Sequence, residues 1–433
     1  MYSGAGMTDT GTTDSGLEDV ARTTRKGRAG QFWRYWTAST ISNVGDAVTT
    51  VALPLVAVGL LGATTFEVSL LVAARYAAWI VIGLPAGVIV QRLPLRGTQV
   101  AMDLVRAVAV LSVPVAAMAG VLSLAQLVAV ALVIGLASVV FDVGNASFLP
   151  SVVDKDELTA RNSLTSGSNA ATQLGGPSLG GVLVQTVGAS ASLLLDAVSY
   201  VVSAALLHSL PRAGHQAQEG PRPPALELIK EGWQYVAHHP VIRPCVAAAT
   251  LVNFVCGGLT ALIPVFLVRT LDQPPGLVGV LIATEGLGSL IGAALTTWLA
   301  NRIGSARAIV WSSLGGALTA ILMPLATGGP GLVLFALGNT GFGAAVVVLS
   351  ILTRTHRQTV TPPDLLPRVM ATVRFVSWGA VPFGALAAGL AALWMGNRGA
   401  LWLVCALAFL APLALWTSPL RRLRSLVSPA VSG

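Results

Sequence analysis

Apolar stretches of about 20 residues follow one another along almost the whole chain, each ended by Gly, Pro or a short charged run. That pattern constrains the fold more than any motif does. In lipid every backbone N–H and C=O must pair within the protein, so runs of this length cross a bilayer as helices. Short alternating segments of the outer-membrane barrel kind are absent. Of 433 residues only 10% are charged and 54% are hydrophobic, against roughly 25% charged in soluble domains. A cytosolic globular enzyme, a disordered scaffold and a coiled coil are excluded on that ground.

The expected fold is an all-α membrane protein with twelve transmembrane helices in two pseudo-symmetric six-helix bundles. The predicted spans are 34–61, 66–90, 98–119, 123–148, 160–186 and 189–210, then 241–270, 276–300, 307–327, 331–354, 369–394 and 399–418. Residues 1–30 form a polar tail without the apolar core of a cleaved signal peptide. An N-terminal bundle (31–210), a linker (211–240), a C-terminal bundle (241–420) and a short tail (421–433) follow. The linker is broken by Pro211, Pro221, Pro223 and Pro224. It continues with Leu226, Ile229, Trp233 and Val236 at helical spacing, opposite Glu227, Glu231 and Gln234, as an amphipathic interfacial helix does.

The net charge of +8 is gathered in alternate loops, with only Arg269 and Arg398 in the others. The positive-inside rule places both termini and the linker in the cytoplasm of a bacterial inner membrane. The basic residues are expected to meet lipid headgroups, not nucleic acid. Cys245, Cys256 and Cys405 lack CxxC spacing and read as small buried residues. His238 and His239 read as a solvated helix end. Neither a metal nor a cofactor is predicted, and no GxxxxGK[ST] loop supports direct ATP drive. HExxH is also absent, and an enzyme is not expected.

A shift of 210 residues superposes Asn43 on Asn253, Thr50 on Thr260, Pro54 on Pro264, Arg92 on Arg302 and Pro114 on Pro324. Uncommon intramembrane residue types in one register argue for a duplicated six-helix unit. Two such halves in parallel are the plan of a large transporter class, with substrate bound between them near the midplane.

Charges inside spans are costly, about 2.5–3.5 kcal/mol at a helix centre on insertion scales, and so point to function. Asn43, Asp46, Thr50 and Pro54 share one face of the first span. Asp46 is a candidate proton carrier; a permanently ionised Asp paired with Arg is the other role open to it. In the seventh span Asn253, Cys256 and Thr260 repeat the stripe with Cys in place of Asp46. Arg75 and Glu285 hold matching positions with opposite charge. Between them a direct bridge, separate partners and substrate contacts are all open, and Glu285 is the second proton-coupling candidate. Asp142 and Asn145 lie on one stripe of the fourth span, where a structural ion pair or gate is expected. Arg374 is either structural or an anion binder. Asp103 and Arg106 are expected to pair locally. The fifth span carries Asn162, Ser166, Asn169 and Gln173, followed by Gly175, Gly176, Pro177, Gly180 and Gly181, which suit close or sliding helix contacts. Gly288 and Gly292 form a similar pair in the eighth.

These features resemble the major facilitator superfamily, in particular its bacterial drug- and siderophore-exporter branch. The resemblance runs from about Phe32 to Arg424. It rests on Gly45-Asp46 before Ala52-Leu53-Pro54-Leu55, on Asp103 to Arg106, on Phe148-Leu149-Pro150-Ser151, on Glu231-Gly232-Trp233, and on Ser418-Pro419-Leu420-Arg421. Gly176, Pro177, Gly180 and Gly181 are similar to the superfamily's antiporter motif. The loop after the second span, with Gly87, Gln91, Arg92 and Arg96, looks like its Gly-x-x-x-Asp-Arg motif, with Gln91 in place of Asp. The resemblance implies a weakened cytoplasmic charge latch there, for which Asp103 is a candidate substitute. Together with the polar seam it implies a monomeric secondary transporter that exchanges protons for a small amphipathic compound. An importer or facilitator on the same fold is the alternative.

Overall fold

The computed structural model describes residues 11–83, 85, 93–153, 157–211, 225–362 and 365–426. All regular structure among them is helical. The first half comprises α1 (Gly11–Leu60), α2 (Thr65–Ile82), α3 (Leu95–Met118), α4 (Leu124–Val152), α5 (Leu158–Val187) and α6 (Ala189–His208). A separate helix, α7 (Ala225–His238), leads to the second half. That half comprises α8 (Ile242–Val265), α9 (Pro275–Ile303), α10 (Ser305–Ala320), the short α11 (Leu322–Leu325), α12 (Leu332–Val360), α13 (Leu366–Trp378), α14 (Ala380–Leu407) and α15 (Leu410–Trp416).

By length and composition, ten helical stretches among the described residues are apolar enough to cross a membrane. The count departs from the expected twelve at two places. The 30-residue α5 is about 45 Å long at 1.5 Å per residue, ample for a bilayer core, but its Asn, Ser and Thr side chains keep it below that apolarity. It packs against α1, α6 and α9, so much of its surface meets protein instead of lipid. The second place is 368–416, one continuous apolar stretch of 49 residues. There Gly396, at φ 71°, takes the left-handed conformation that glycine adopts without penalty and breaks α14 into two arms.

The packing repeats between the halves. In the first, α1 lies on α6, α2 on α4, and α3 on α4. In the second, α8 lies on α14 and α15, α9 on α12, and α10 on α12. The seam follows the same exchange, with α5 against α9 and α2 against α14. Pro54 sits inside α1 and Pro264 inside α8. Each removes a backbone bond from its helix. Four residues before each, Thr50 and Thr260 donate to the carbonyls of Asp46 and Cys256, at 2.8 and 2.7 Å. The duplicated register is thus a duplicated local structure.

Buried apolar side chains centre each half: Val56, Leu127, Ile134 and Tyr200 in the first, Leu262, Phe266, Met323 and Phe335 in the second. Large apolar side chains such as Val108, Val198, Trp298 and Leu393 face outward, where lipid, not water, is their natural solvent. The interfacial helix α7 divides its apolar residues. Val236 is buried against Ile242, Val369 and Val373, while Trp233 is 54% exposed. Glu231 ties α7 to Arg368 at the start of α13.

Candidate functional site

A cavity of about 530 Å³ lies on the seam. From the first half Asn43, Asp46, Thr50, Tyr76 and Asp142 line it; from the second, Cys256, Thr260, Ile263, Glu285 and Phe342 do so. Each half therefore brings polar and apolar side chains to one space, as small-molecule sites do.

Asp46 stands where four helices converge. Its carboxylate accepts from Tyr200 Oη of α6 at 2.6 Å, from Arg75 of α2 at 3.4 Å and from Arg106 of α3 at 3.3 Å. Arg106 is 1% exposed, and its guanidinium carbon lies 4.3 Å from the Phe141 ring centre and 4.5 Å from that of Tyr200. It also pairs with Asp103, which accepts from Ser203 Oγ at 2.7 Å. Two carboxylates and two guanidiniums thus form one closed group. The local Asp103–Arg106 pair is present, and Arg106 carries it on to Asp46. Arg75 pairs with Asp46, so no direct bridge joins it to Glu285.

Gly45 explains how α1 approaches α6. A Cβ there would lie 2.0 Å from Asp196 Oδ1. Asp196 itself is fully buried and accepts from the hydroxyls of Thr49 and Ser199. On the other side of α1, Gly176 rests on Ala47 and Gly180 on Val48, while Gly181 meets Gly279 of α9 across the seam. The Gly-Pro run of α5 therefore packs both within its half and between halves, and Pro177 lines the cavity. The Gly288–Gly292 pair packs instead on Thr340 and Ala344 of α12 within the second half.

Glu285 has another environment. Its stem rests on Gly343 of α12, and it is exposed to the cavity. Among the described residues no hydrogen bond or ion pair meets its carboxylate. The walls of one chamber thus present a neutralised acid from one half and a free one from the other.

The seam differs at its two ends. Away from the termini the backbones touch: Gly181 on Gly279, with Gly276 against Gln185. There Thr65 donates to Asn397 Oδ1 at 2.5 Å. At the end carrying the termini, long side chains reach across. Arg374 of α13 stands 4.0 Å from Asp142 of α4 and lies 4.1 Å from the Trp79 ring centre and 5.2 Å from that of Trp378.

The remaining expected residues are placed as follows. Asn43 donates to Asn169 at 2.7 Å, joining α1 to α5. Asn145 turns to Tyr35 (2.5 Å) and Asn253 to Ala249 of its own helix (2.9 Å); neither lines the cavity. Arg96 donates to the Leu210 carbonyl at 2.6 Å. Gly87, Gln91 and Arg92, and the side chains of Asn162, Ser166 and Gln173, lie outside the described residues. Sequence reasoning missed Tyr76, Tyr200, Trp79 and Trp378. Aromatics inside apolar spans carry no signal of their own. The available hint was Tyr76 directly after Arg75, with Trp79 one turn beyond Arg75.

The chain is 28% identical over 383 residues to the MFS-type transporter YfiS of Bacillus subtilis, covering 85% of this chain and 88% of that one. It is 25% identical over 369 residues to the multidrug efflux pump Tap of Mycolicibacterium fortuitum, covering 81% and 87%. Its fold matches the nucleoside transporter NupG with a TM-score of 0.76 at 10% identity, over 89% of this chain and 98% of that one. The transmembrane secretion effector family model matches residues 27–431. With two helical halves meeting at a polar cavity, the chain belongs to that family of the major facilitator superfamily and is a membrane transporter, not an enzyme.

Proposed function

We propose that this transporter expels a small amphipathic compound across the bacterial cytoplasmic membrane in exchange for protons, with both termini in the cytoplasm. The observation that carries the proposal is that Asp46 from one half and Glu285 from the other line one cavity. An uncompensated carboxylate inside a membrane protein is costly. A proton or a cationic group of the ligand removes that cost, so the two compete for Glu285. Asp46 has a different part. Its ties to Arg75, Arg106 and Tyr200 hold α1, α2, α3 and α6 together, and protonation would loosen all of them at once. Protonation of either residue then alters the relative free energies of the two access states, which is how a bound ligand shifts a conformational equilibrium.

Arg374, Asp142, Trp79 and Trp378 form the gate on the terminus side. The Arg374–Asp142 contact is long and half-exposed, so it opens at low cost, while Gly181 and Gly279 keep the far end shut by close backbone packing. The apolar walls Ile263 and Phe342 suit an amphipathic compound, and likeness to a named multidrug efflux pump supports export. Purified protein in liposomes, loaded with a fluorescent amphipathic cation and given a proton gradient, tests the reading. Gradient-driven transport with the proton counterflow opposite to the dye is expected. Movement independent of the gradient would leave a facilitator, and movement in the same direction as the protons an importer.

A further inference from the structure

The last turn of α12 carries polar side chains that the transport cavity does not use. His356, Arg357 and Thr361 are 3%, 7% and 5% exposed. Both ring nitrogens of His356, Nε and Nη1 of Arg357, and Thr361 Oγ1 are buried without a hydrogen-bond partner. Such a cluster is unusual, because buried polar groups are nearly always satisfied. The end of α7 and the turn into α8 cover it. Tyr235 Oη donates to the Val360 carbonyl at 3.2 Å, and the His239 ring centre lies 6.0 Å from that of His356. His239 Nδ1 accepts from the N–H groups of Val241 and Ile242, which leaves Nε2 as the ring donor of a neutral imidazole. Arg354 stands exposed one turn earlier. Of the acids of the covering helix, Glu231 is taken by Arg368, and Glu227 lies in its first turn, at the end away from His239. Donors and positive charge therefore collect here, and no described carboxylate answers them.

A guanidinium that no carboxylate answers, beside an imidazole and a hydroxyl that can each donate, is the recognition chemistry of a phosphate group. Its level in the molecule names the source. The cluster ends a membrane-crossing stretch (Gly329–Val360), beneath an amphipathic helix whose Trp233 points outward, as side chains at headgroup depth do. Basic pockets between spans at this depth take anionic lipid headgroups. We propose that the junction of α7, α8 and α12 binds the phosphate of an anionic phospholipid through Arg357, His356 and Thr361, with His239 closing over it. The site is separate from the transport cavity and does not depend on what is transported.

Native mass spectrometry of the full-length protein in neutral detergent, with phosphatidylglycerol or phosphatidylcholine added, is the test. Wild-type protein should retain phosphatidylglycerol about tenfold more strongly than phosphatidylcholine, the scale of one charge-assisted contact. Arg357→Met and His356→Gln should each lower retention to the phosphatidylcholine level, and Arg357→Lys should keep part of the preference. Wild-type protein without preference for the anionic lipid overturns the proposal, whatever the variants do. So does a folded Arg357→Met protein that keeps the preference. Inorganic phosphate displacing the lipid at equal concentration overturns the lipid assignment and leaves a free-phosphate site.

Discussion

Replacing Asp46 by Asn is the most informative single change. The amide keeps the size and the acceptor oxygen for Tyr200 but removes the negative charge. Arg106 retains Asp103; Arg75 loses the carboxylate with which it forms an ion pair. Removing one partner of a buried pair costs about 3–5 kcal/mol, because the other charge is left uncompensated. Asp46 and Arg75 are 22% and 23% exposed at their side chains, so water in the cavity discounts that cost and the lower end, about 3 kcal/mol, is expected. The second change is Arg75→Gln, alone and combined with Asp46→Asn. The double variant has no orphaned guanidinium and should recover part of the loss. A coupling energy of about 1–2 kcal/mol between the two sites follows, within the range for residues in contact. Unfolding of the four proteins in detergent, followed by tryptophan fluorescence, measures the cycle. Gradient-driven transport in liposomes measures function in parallel. Should the two changes add to within about 0.5 kcal/mol, Arg75 and Asp46 are not an energetic pair and the network argument fails. Should the double variant recover both stability and proton-driven transport, Asp46 is a structural acid and not a proton carrier.

Other expectations concern the cavity and its two ends. Glu285→Gln has no partner to orphan and removes an uncompensated charge, so its stability should equal or exceed that of wild type, while gradient-driven transport is lost; unchanged proton coupling in that variant removes Glu285 from the mechanism. Gly45→Ala places a methyl against Asp196 and should cost about 1–3 kcal/mol by overpacking, seen as a lower unfolding midpoint; an unchanged midpoint contradicts the tight α1–α6 approach. Gly279→Leu cannot pack on Gly181 as observed, since even a Cβ there lies 2.6 Å from the Gly181 Cα. It should hold the far end open, read as faster labelling of a cysteine placed at Thr50 by a membrane-impermeant thiol reagent added from that side. Labelling equal to the Thr50→Cys parent would place the closure elsewhere. Arg374→Ala removes the charge and the stacked cation, each worth up to about 1 kcal/mol in half-exposed surroundings; labelling from the terminus side should rise several-fold, and unchanged access would show that Arg374 is no gate.

The fold class was legible in the sequence because lipid leaves few alternatives. Apolar runs of spanning length must be helices, and the matched Asn, Thr and Pro positions 210 residues apart (Asn43 to Asn253) showed the duplication before any contact was seen. Rare charges in apolar spans marked Asp46, Arg75, Arg106 and Glu285 for the same reason, since lipid does not tolerate them without a use. Only tertiary structure decided their partners. Spacing along one helix shows that Asp103 and Arg106 can meet, but it cannot show that Arg106 and Arg75 converge from two helices on a third. It also cannot show that Tyr200 arrives from a fourth, or that Glu285 faces the same chamber with nothing to pair it. Periodicity fixes which face of a helix a residue occupies; what that face meets depends on the angles and distances at which the helices cross. For the same reason α5 was legible in the sequence as a span, but its contacts with α1 in its own half and α9 in the other came only with the tertiary structure.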